Sequence, residues 1–297
     1  AVIGLHNSLF GYPILTFGTE EQKKKYLPGV CSGEQVGAFA LTEPGAGSDA
    51  ASISTTYTKT DDGYVINGTK IFITMGACAD SVIVFATSKK GSGPKGISAF
   101  IVDKDTKGFS IGTIEKKMGL RASPTTELIY SDCFVPKDAM LGPEGKGFRV
   151  AMSTLDGGRI SCAAMSVGLA QAAFDIAVEY SKQREQFGKP ISAFQAIQFH
   201  LADMSIMIEN ARLSVYRAAW MKDQGKPYSL QAAQAKVYAS EISTTVTHKA
   251  IQVLGGYGYI RDYQVERMYR DARVTELFEG TSEVQRLVIA RHLLKKK

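Results

Sequence analysis

The sequence predicts an α+β protein of several domains, in which a central antiparallel β domain is followed by a C-terminal four-helix bundle. Between about residues 33 and 141, short β-prone runs alternate with Gly, Asp, Asn and Pro. After Gly145-Lys146-Gly147 the strand signals stop and long helical patterns begin. A length of 297 residues, 44% of them apolar, also fits an ordinary globular protein of about two domains.

The first segment, residues 1–32, is predicted to be helical. Its charged run from Glu20 to Lys25 suits an exposed helix, and Pro28 is expected to close that helix. The chain begins at Ala1 without an initiator Met, a basic region or a small-residue cleavage site. We therefore expect this start to be a processed or truncated end.

The second segment, residues 33–141, is predicted to form the β domain. Asn67-Gly68, between apolar runs, indicates a tight hairpin, because both central positions of such a turn need positive φ. The runs 82–85 and 97–102 supply further strands.

The third segment, residues 142–297, is predicted to form the helical bundle, with helices at about 148–186, 194–224, 229–254 and 282–294. Apolar residues at alternating spacings of three and four indicate one face of the second helix: Phe194, Ile197, Leu201, Met204, Ile208, Ala211 and Val215. The apolar stretch 160–178 contains Gln171 and Asp175, so it predicts a buried helix and not a membrane span.

Composition excludes several function classes. The formal net charge of +6 favours anionic ligands only weakly, and we expect no nucleic-acid or membrane partner. The four Cys form no C-x-x-C pair and the four His no H-E-x-x-H, so we expect reduced thiols and no metal. The sequence also lacks the P-loop pattern G-x-x-x-x-G-K-[ST].

The glycine-rich run Gly45-Ala46-Gly47-Ser48-Asp49-Ala50 matches the dinucleotide fingerprint G-x-G-x-x-G/A, but its context does not. That fingerprint must follow a buried strand and open a helix, whereas Pro44 precedes this run and a hydroxyl-rich, β-prone stretch follows it. Two interpretations stay open. The run is a turn between strands, or it presents backbone N–H groups and the hydroxyls of Thr42 and Ser48 to a ligand.

A second candidate motif is Phe278-Glu279-Gly280, just before the last helix. Ser282 followed by Gln285 resembles a capping box that opens this helix. A lone Glu in this position is usually a solvated carboxylate favoured by the helix dipole. It can also be a carboxylate that backbone geometry holds at the wall of an apolar cavity.

Five segments, in order, resemble the acyl-CoA dehydrogenase family of flavoenzymes. The resemblance covers essentially the whole chain, although most of the family's N-terminal helical domain is absent and residues 1–32 are a remnant of it. The matching segments are Phe39 to Asp49, Lys70 to Thr74, Gln183 to Gly188, Gln252 to Gly258 and Phe278 to Glu283. The resemblance implies FAD as cofactor, located between the β domain and the bundle.

The resemblance also implies the residues that bind FAD. Positions facing the isoalloxazine ring and pyrophosphate are Phe39, Leu41, Thr42, Ser48, Phe72 and Thr74. Positions that bind the FAD of a neighbouring subunit are Arg184, Gln186, Phe187, Gln195, Gln252, Leu254, Gly255 and Gly256. Binding of FAD across subunits implies a dimer or tetramer. Thr281 and Glu283 match positions near the adenosine and pyrophosphate of the subunit's own FAD.

By the same resemblance, Glu279 is the catalytic base that removes the α-proton of an acyl-CoA thioester, giving a trans-2-enoyl-CoA. Contacts to CoA or the acyl chain are implied for Ser48, Leu155, Asp156, Arg159 and Gly280. A carboxylate near its ordinary pKa of about 4.3 is a weak base, so burial must raise that pKa and hydrogen bonds must stabilise the enolate.

Some family members carry the base just before the arginine of the Asp156-Gly157-Gly158-Arg159 run, where this chain has Gly158. The run therefore resembles short-chain members, and butyryl-CoA is the leading substrate. The implied electron acceptor is electron-transfer flavoprotein, in a bacterial cytoplasm or a mitochondrial matrix. Two alternatives stay open: a flavin acyl-CoA oxidase on the same scaffold, and a non-catalytic acyl-CoA-binding or assembly protein.

Overall fold

The computed structural model describes residue 4 and residues 6–295, so the expected processed start at residues 1–3 lies outside the described residues. The chain divides into two compact units. Unit 1 comprises Ala1–Lys117 and Arg121–Gly158, and unit 2 comprises Met118–Leu120 and Arg159–Lys297.

Unit 1 begins with short helices: a π-helical turn at His6–Gly11, α1 at Tyr12–Phe17 and α2 at Glu20–Ser32. Thr19 and Gln22 form a reciprocal capping box at the start of α2. The expected end at Pro28 is wrong, because α2 continues through it to Ser32. The helix ends where Gly33 adopts a left-handed φ of 80°, a conformation that glycine reaches without strain.

The β domain of unit 1 is one sheet. Its eight strands in the described part of the chain are β1 (Gly37–Ala40), β2 (Thr56–Lys59), β3 (Gly63–Thr74), β4 (Ser81–Thr87), β5 (Ile97–Asp103), β6 (Phe109–Ile114), β7 (Thr125–Pro136) and β8 (Met140–Leu141). Their order is β6-β7-β3-β2-β4-β5-β8, and β1 also pairs with β4. The β1–β4 and β2–β4 pairings are parallel and the others antiparallel, which confirms the predicted mostly antiparallel domain.

The predicted hairpin at Asn67-Gly68 is wrong. Strand β3 runs unbroken from Gly63 to Thr74, and Asn67-Gly68 is an irregularity in its pairing with β7. Gly68 has a φ of 151°, but Asn67 is not among the residues with positive φ, so the turn geometry of a tight hairpin is not met. A Cβ on Gly68 would also lie 2.7 Å from the Cα of Thr55, which explains glycine here.

Strands β4 and β5 are buried on both faces, as their continuous apolar runs indicate. Val82 and Val84 point into one core cluster, and their neighbours Ile83 and Phe85 point into another. The second cluster includes side chains of the helical segments: Phe10, Ile14, Tyr26, Val30, Val150 and Ala151. The sheet therefore separates two apolar cores within unit 1.

Unit 2 is helical, and the longest helix of the chain, α3 (Gly147–Gln183), enters it at Arg159. The other helices are α4 (Gln195–Asp223), α5 (Ser229–Leu254), α6 (Val265–Arg273) and α7 (Ser282–Leu293), with a small hairpin of β9 (Glu185–Gln186) and β10 (Lys189–Pro190). The four predicted helices are present. Helix α6 was not predicted, because it is nine residues long and mostly polar.

The predicted apolar face of α4 is confirmed in its central part. Met204, Ile208, Ala211 and Val215 are buried, while Phe194, Ile197 and Leu201 are partly buried against the same core. Helix α3 is long and apolar enough to cross a membrane by length and composition alone, a test that core helices also pass. In unit 2 its buried alanines pack in that core, as the interpretation of a buried helix predicts.

Candidate active site

The candidate base lies on a strained turn of unit 2 between α6 and α7. Glu279 has a φ of 55° and Gly280 a φ of 90°, so two consecutive residues adopt the left-handed conformation. A residue with a side chain reaches this region only at a cost of about 1–3 kcal/mol, which surrounding contacts must offset. The backbone of this turn thus sets the direction in which the Glu279 side chain leaves the chain.

The turn is closed by the first residues of α7. Thr281 is the N-cap of this helix, and its hydroxyl accepts a hydrogen bond from the N–H of Val284 at 3.3 Å. The N-cap is therefore Thr281 and not Ser282, and the expected capping box is wrong, because the third helical residue, Val284, has no side-chain acceptor. Gln285 does not reach back to an N-cap, because its side-chain amide donates to the carbonyls of Glu279 at 3.1 Å and Gly280 at 2.9 Å.

The Glu279 carboxyl group is shielded from solvent. The residue as a whole is half-buried, but both carboxyl oxygens are inaccessible and have no hydrogen-bond partner among the described residues. Burial raises the pKa of this group from 4.5 to about 7, against the charges of Lys236 and Arg159, which lower it. The shielded oxygens contradict the interpretation of a solvated carboxylate, while the apolar cavity of the other interpretation stays a prediction.

Charged and polar groups of α3 and α5 surround this turn. Arg159 is only 5% exposed and its charge acts on Glu279; the expected contact of Arg159 with CoA stays a prediction. Cys162, one turn along α3, has its sulfur 3.7 Å from the carbonyl of Thr275, and burial raises the pKa of its thiol. Lys236 of α5 is fully buried and donates to the carbonyl of Gly280 at 2.8 Å.

In unit 1, the glycine-rich run forms a turn and no helix follows it. Glu43 and Ala46 exchange backbone hydrogen bonds of 3.0 and 3.1 Å across the turn. Gly45 and Gly47 have no atom within 4 Å of where a Cβ would stand, so they face open space. The dinucleotide fingerprint is thus excluded by its surroundings, as the sequence predicts, and the exposed Ser48 remains available to a ligand.

A buried ion pair holds this turn against β3. The ammonium of Lys70 lies 2.7 Å from a carboxyl oxygen of Glu43 and 3.0 Å from the carbonyl of Leu41. Ser54 and Thr55 donate to the same carboxylate. Burial alone would raise the pKa of Glu43, but the Lys70 charge and these donors outweigh it and lower the pKa to about 2.

Sequence reasoning gave no role to Glu43 or Lys70, because charged residues are normally exposed. A lysine within an otherwise β-prone apolar run was the available signal.

The same contacts bring together two of the predicted flavin segments. The N–H of Ile71 donates to the carbonyl of Thr42 at 2.9 Å, which adds a backbone link between the glycine turn and β3. One residue farther, Phe72 has a left-handed φ of 57° and is 59% exposed, at a second irregularity in the pairing of β3 with β7. Leu41, Thr42, Phe72 and Thr74 thus lie on neighbouring parts of unit 1.

An apolar cleft of about 540 Å³ lies in unit 2, near the end of α5. Five of the predicted residues line it: Arg184, Gln186, Leu254, Gly255 and Gly256. The Arg184 guanidinium lies over the ring of Tyr257, 5.5 Å from its centre. Such stacking fixes the cation without consuming all its hydrogen-bond donors.

The remaining predicted residues lie in varied surroundings. Phe187, at the tip of the β9–β10 hairpin, has a φ of 52° and is 93% exposed. Gln195, Gln252 and Glu283 are exposed, and Phe39, Leu155 and Asp156 are half-buried. The roles of all these residues stay predictions. Within residues 4 and 6–295, no group of three or more His, Cys, Asp and Glu side chains could hold a metal ion.

Comparison with known proteins assigns the family. Residues 1–34, 38–133 and 145–294 match the N-terminal, middle and C-terminal domains of acyl-CoA dehydrogenase, respectively. The mitochondrial short-chain specific acyl-CoA dehydrogenase of Bos taurus is 51% identical over 294 residues, which cover 99% of this chain and 71% of that protein.

Two solved structures match at a TM-score of 0.98. One is butyryl-CoA dehydrogenase from Megasphaera elsdenii, with 52% identity over 99% of this chain and 77% of that one. The other, at 53% identity over 99% and 78%, comes from a structure described as the electron transferring flavoprotein of Acidaminococcus fermentans. The expected fold is therefore confirmed, and the chain belongs to the acyl-CoA dehydrogenase family.

Proposed function

We propose that this chain catalyses the FAD-dependent α,β-dehydrogenation of a short-chain acyl-CoA to the trans-2-enoyl-CoA. The observation that carries the proposal is the Glu279 carboxyl group, which is shielded from solvent, has no partner among the described residues and has a pKa raised to about 7. A buried carboxyl without a partner is rare in folded proteins and calls for a functional explanation.

The raised pKa suits a general base for a carbon acid. A base works best when its pKa lies near the ambient pH, because it is then both deprotonated and strong enough to accept a proton. Glu279 would take the α-proton of the thioester, and its own backbone N–H would donate to the thioester carbonyl as negative charge develops there. Gly158, at the other position where the family carries a base, has no side chain to do this.

The residues present in unit 1 fit FAD. Phe72 offers an exposed aromatic face held by a left-handed backbone, and the hydroxyls of Thr42, Ser48 and Thr74 supply polar contacts. When bound, FAD supplies the acceptor for the hydride that leaves the β-carbon. The Glu43–Lys70 pair holds the turn between Thr42 and Ser48 against β3, which favours a preorganised backbone on either side of it.

Unit 2 supports the proposal of an oligomer. Its cleft, with Arg184 held over Tyr257, would take part of the FAD of a neighbouring subunit, as the family resemblance implies. Helix α4 also exposes a stripe of large apolar residues, which a lone soluble chain rarely presents. This stripe consists of Phe199, Ile206, Leu213, Tyr216 and Trp220.

The proposed substrate, electron acceptor and location rest on the similar proteins named above. Butyryl-CoA is proposed as the substrate because the matched enzymes are named as short-chain or butyryl-CoA dehydrogenases. Electron-transfer flavoprotein is proposed as the acceptor, in line with the matched structure described by that name. A mitochondrial matrix or a bacterial cytoplasm is the corresponding location.

Anaerobic titration of the FAD-loaded protein with butyryl-CoA tests this function. We expect the absorbance of oxidised flavin to bleach in the wild-type protein, and Glu279→Gln to slow bleaching roughly 10³-fold or more with little effect on ligand binding. No bleaching with any C4 to C8 acyl-CoA would remove the proposal. Rapid reoxidation of the bleached protein by oxygen would instead indicate an oxidase.

A further inference from the structure

The turn that carries Glu279 depends on hydrogen bonds to its carbonyls. Besides Gln285, a second donor reaches the carbonyl of Gly280: the ammonium of Lys236, at 2.8 Å. Lys236 comes from α5, 44 residues away in the sequence. Two donors from separate helices therefore converge on one carbonyl of the left-handed turn.

The position of Lys236 is unusual for a lysine. Its side chain is fully buried on the face of α5 that also carries Ala232, Ala239 and Ser243. Burial lowers the pKa of this amine, while the negative groups around it raise it. A buried ammonium costs free energy that a hydrogen bond to a neutral carbonyl does not fully offset, so stability alone does not explain it.

The charge of Lys236 reaches the carboxyl group of Glu279 without a direct bond to it. The ammonium donates to the neighbouring carbonyl, and both Glu279 oxygens remain without a partner among the described residues. A carboxylate bonded directly to an ammonium would be a weaker base, because that bond favours its charged form. The arrangement supplies a positive charge nearby and leaves both oxygens able to accept a proton.

Other charged and titratable groups face this pair. Arg159 and Cys162 come from α3, Glu276 from the turn after α6, and Glu283 from the first turn of α7. Arg159 acts on Glu279 in the same direction as Lys236, so removal of Lys236 leaves one cation in place.

We propose that Lys236 is a positioning residue for Glu279: it holds the Gly280 carbonyl, and with it the turn that aims the base, and it sets the charge around the carboxyl group. The inference builds on the proposed role of Glu279. Lys236→Met removes both the charge and the donor at similar length, Lys236→Gln retains a donor without the charge, and Lys236→Arg retains both.

The first test follows activity in the FAD-loaded enzyme. In Lys236→Met we expect kcat for butyryl-CoA to fall roughly 10- to 100-fold, with a smaller change in KM, because misplacement of a base acts on the chemical step. We also expect the acidic limb of the pH profile of kcat/KM to move to higher pH by about one unit. Lys236→Gln should show the shift in pH with a smaller loss of kcat, and Lys236→Arg should restore both.

The second test needs no turnover. The difference in melting temperature between each protein and its Glu279→Gln derivative, followed against pH, reports the pKa of Glu279 in the folded state. We expect this difference to keep growing up to a higher pH in the Lys236→Met background than in the wild type, because loss of the Lys236 charge raises the pKa of Glu279 further. Lys249→Met, on the same helix, removes a lysine that contacts His200 and Asp203, and should leave the pH dependence unchanged.

These measurements separate the two proposals. If the wild-type protein fails to bleach with butyryl-CoA, the proposed function fails, whatever Lys236 does. If the wild-type protein bleaches but Lys236→Met and Lys236→Gln keep the wild-type pH profile and the same dependence of melting temperature on Glu279, Lys236 is not a positioning residue.

Discussion

Glu279→Gln is expected to stabilise the folded protein at neutral and alkaline pH while it removes the base. The carboxyl pKa rises from 4.5 to about 7 because the group is buried. Between those values the native state keeps the proton that the unfolded chain releases, so stability falls as the pH rises through this window and levels off above it. Glutamine is neutral at every pH and escapes this loss.

The expected magnitude follows from the size of the shift. At about 1.4 kcal/mol per pKa unit, the variant should gain about 1 kcal/mol at about pH 5 and roughly 3 kcal/mol at about pH 8. For a domain of the size of unit 2, a gain of roughly 3 kcal/mol in the free energy of unfolding corresponds to a rise in melting temperature of roughly 6–12 °C. Scanning calorimetry of both proteins at the two pH values measures it.

A nearby carboxylate provides the control. Glu283 is exposed. Its pKa lies below its ordinary value, because its carboxylate accepts hydrogen bonds from its own backbone N–H and from the Thr281 side chain. Glu283→Gln should therefore not raise the melting temperature at the higher pH. If Glu279→Gln tracks the wild-type protein at both pH values, the carboxyl group is solvated in solution and the argument for a buried base is wrong.

Three further changes test other parts of the molecule. Lys70→Met leaves Glu43 as a buried, unpaired carboxylate, and should cost about 3–5 kcal/mol and lower the FAD retained after gel filtration; unchanged melting and FAD content would contradict the positioning role of this pair. Gly280→Ala puts a Cβ 2.7 Å from the side-chain nitrogen (Nε2) of Gln285, at a backbone φ of 90° that strains a residue with a side chain. We expect kcat to fall while the FAD content, measured by absorbance titration, stays unchanged. Thr281→Ala removes the N-cap of α7 and should cost about 1 kcal/mol by thermal unfolding, with Thr281→Ser close to wild type.

The sequence predicted those elements whose local pattern and tertiary surroundings agree. Continuous apolar runs predict buried strands, as in β4 and β5. Apolar residues at helical spacing predict a buried helix face, as around Met204 and Ile208 of α4. At Asn67-Gly68 local and tertiary preferences diverge, because pairing of β3 with β7 turns a strong hairpin signal into an irregularity within a strand. Pro28 likewise costs α2 one hydrogen bond but does not end it.

The motifs predicted the candidate base and the rise in its pKa through burial, but not the charged groups that surround it. Family motifs pointed to Glu279, but the charges that act on its carboxyl group, those of Lys236 and Arg159, come from helices distant in sequence. Lys236 was missed because lysine is normally exposed, although Ala232, Ala239 and Ser243 place position 236 on the buried face of its helix. A charged residue that breaks an otherwise small and apolar helical face is the signal that would have revealed it.

The buried face of α3 in unit 2 carries alanine at positions 163, 170, 173 and 177, each of them fully enclosed. Small side chains let neighbouring helix backbones approach closely, so at these positions the size of the side chain matters more than its hydrophobicity. Because each of the four is fully enclosed, a larger side chain there is expected to overpack the core, at a cost of about 1–3 kcal/mol. A stabilising redesign of this bundle should therefore leave its smallest side chains alone and look for improvement on the outer surfaces of the helices.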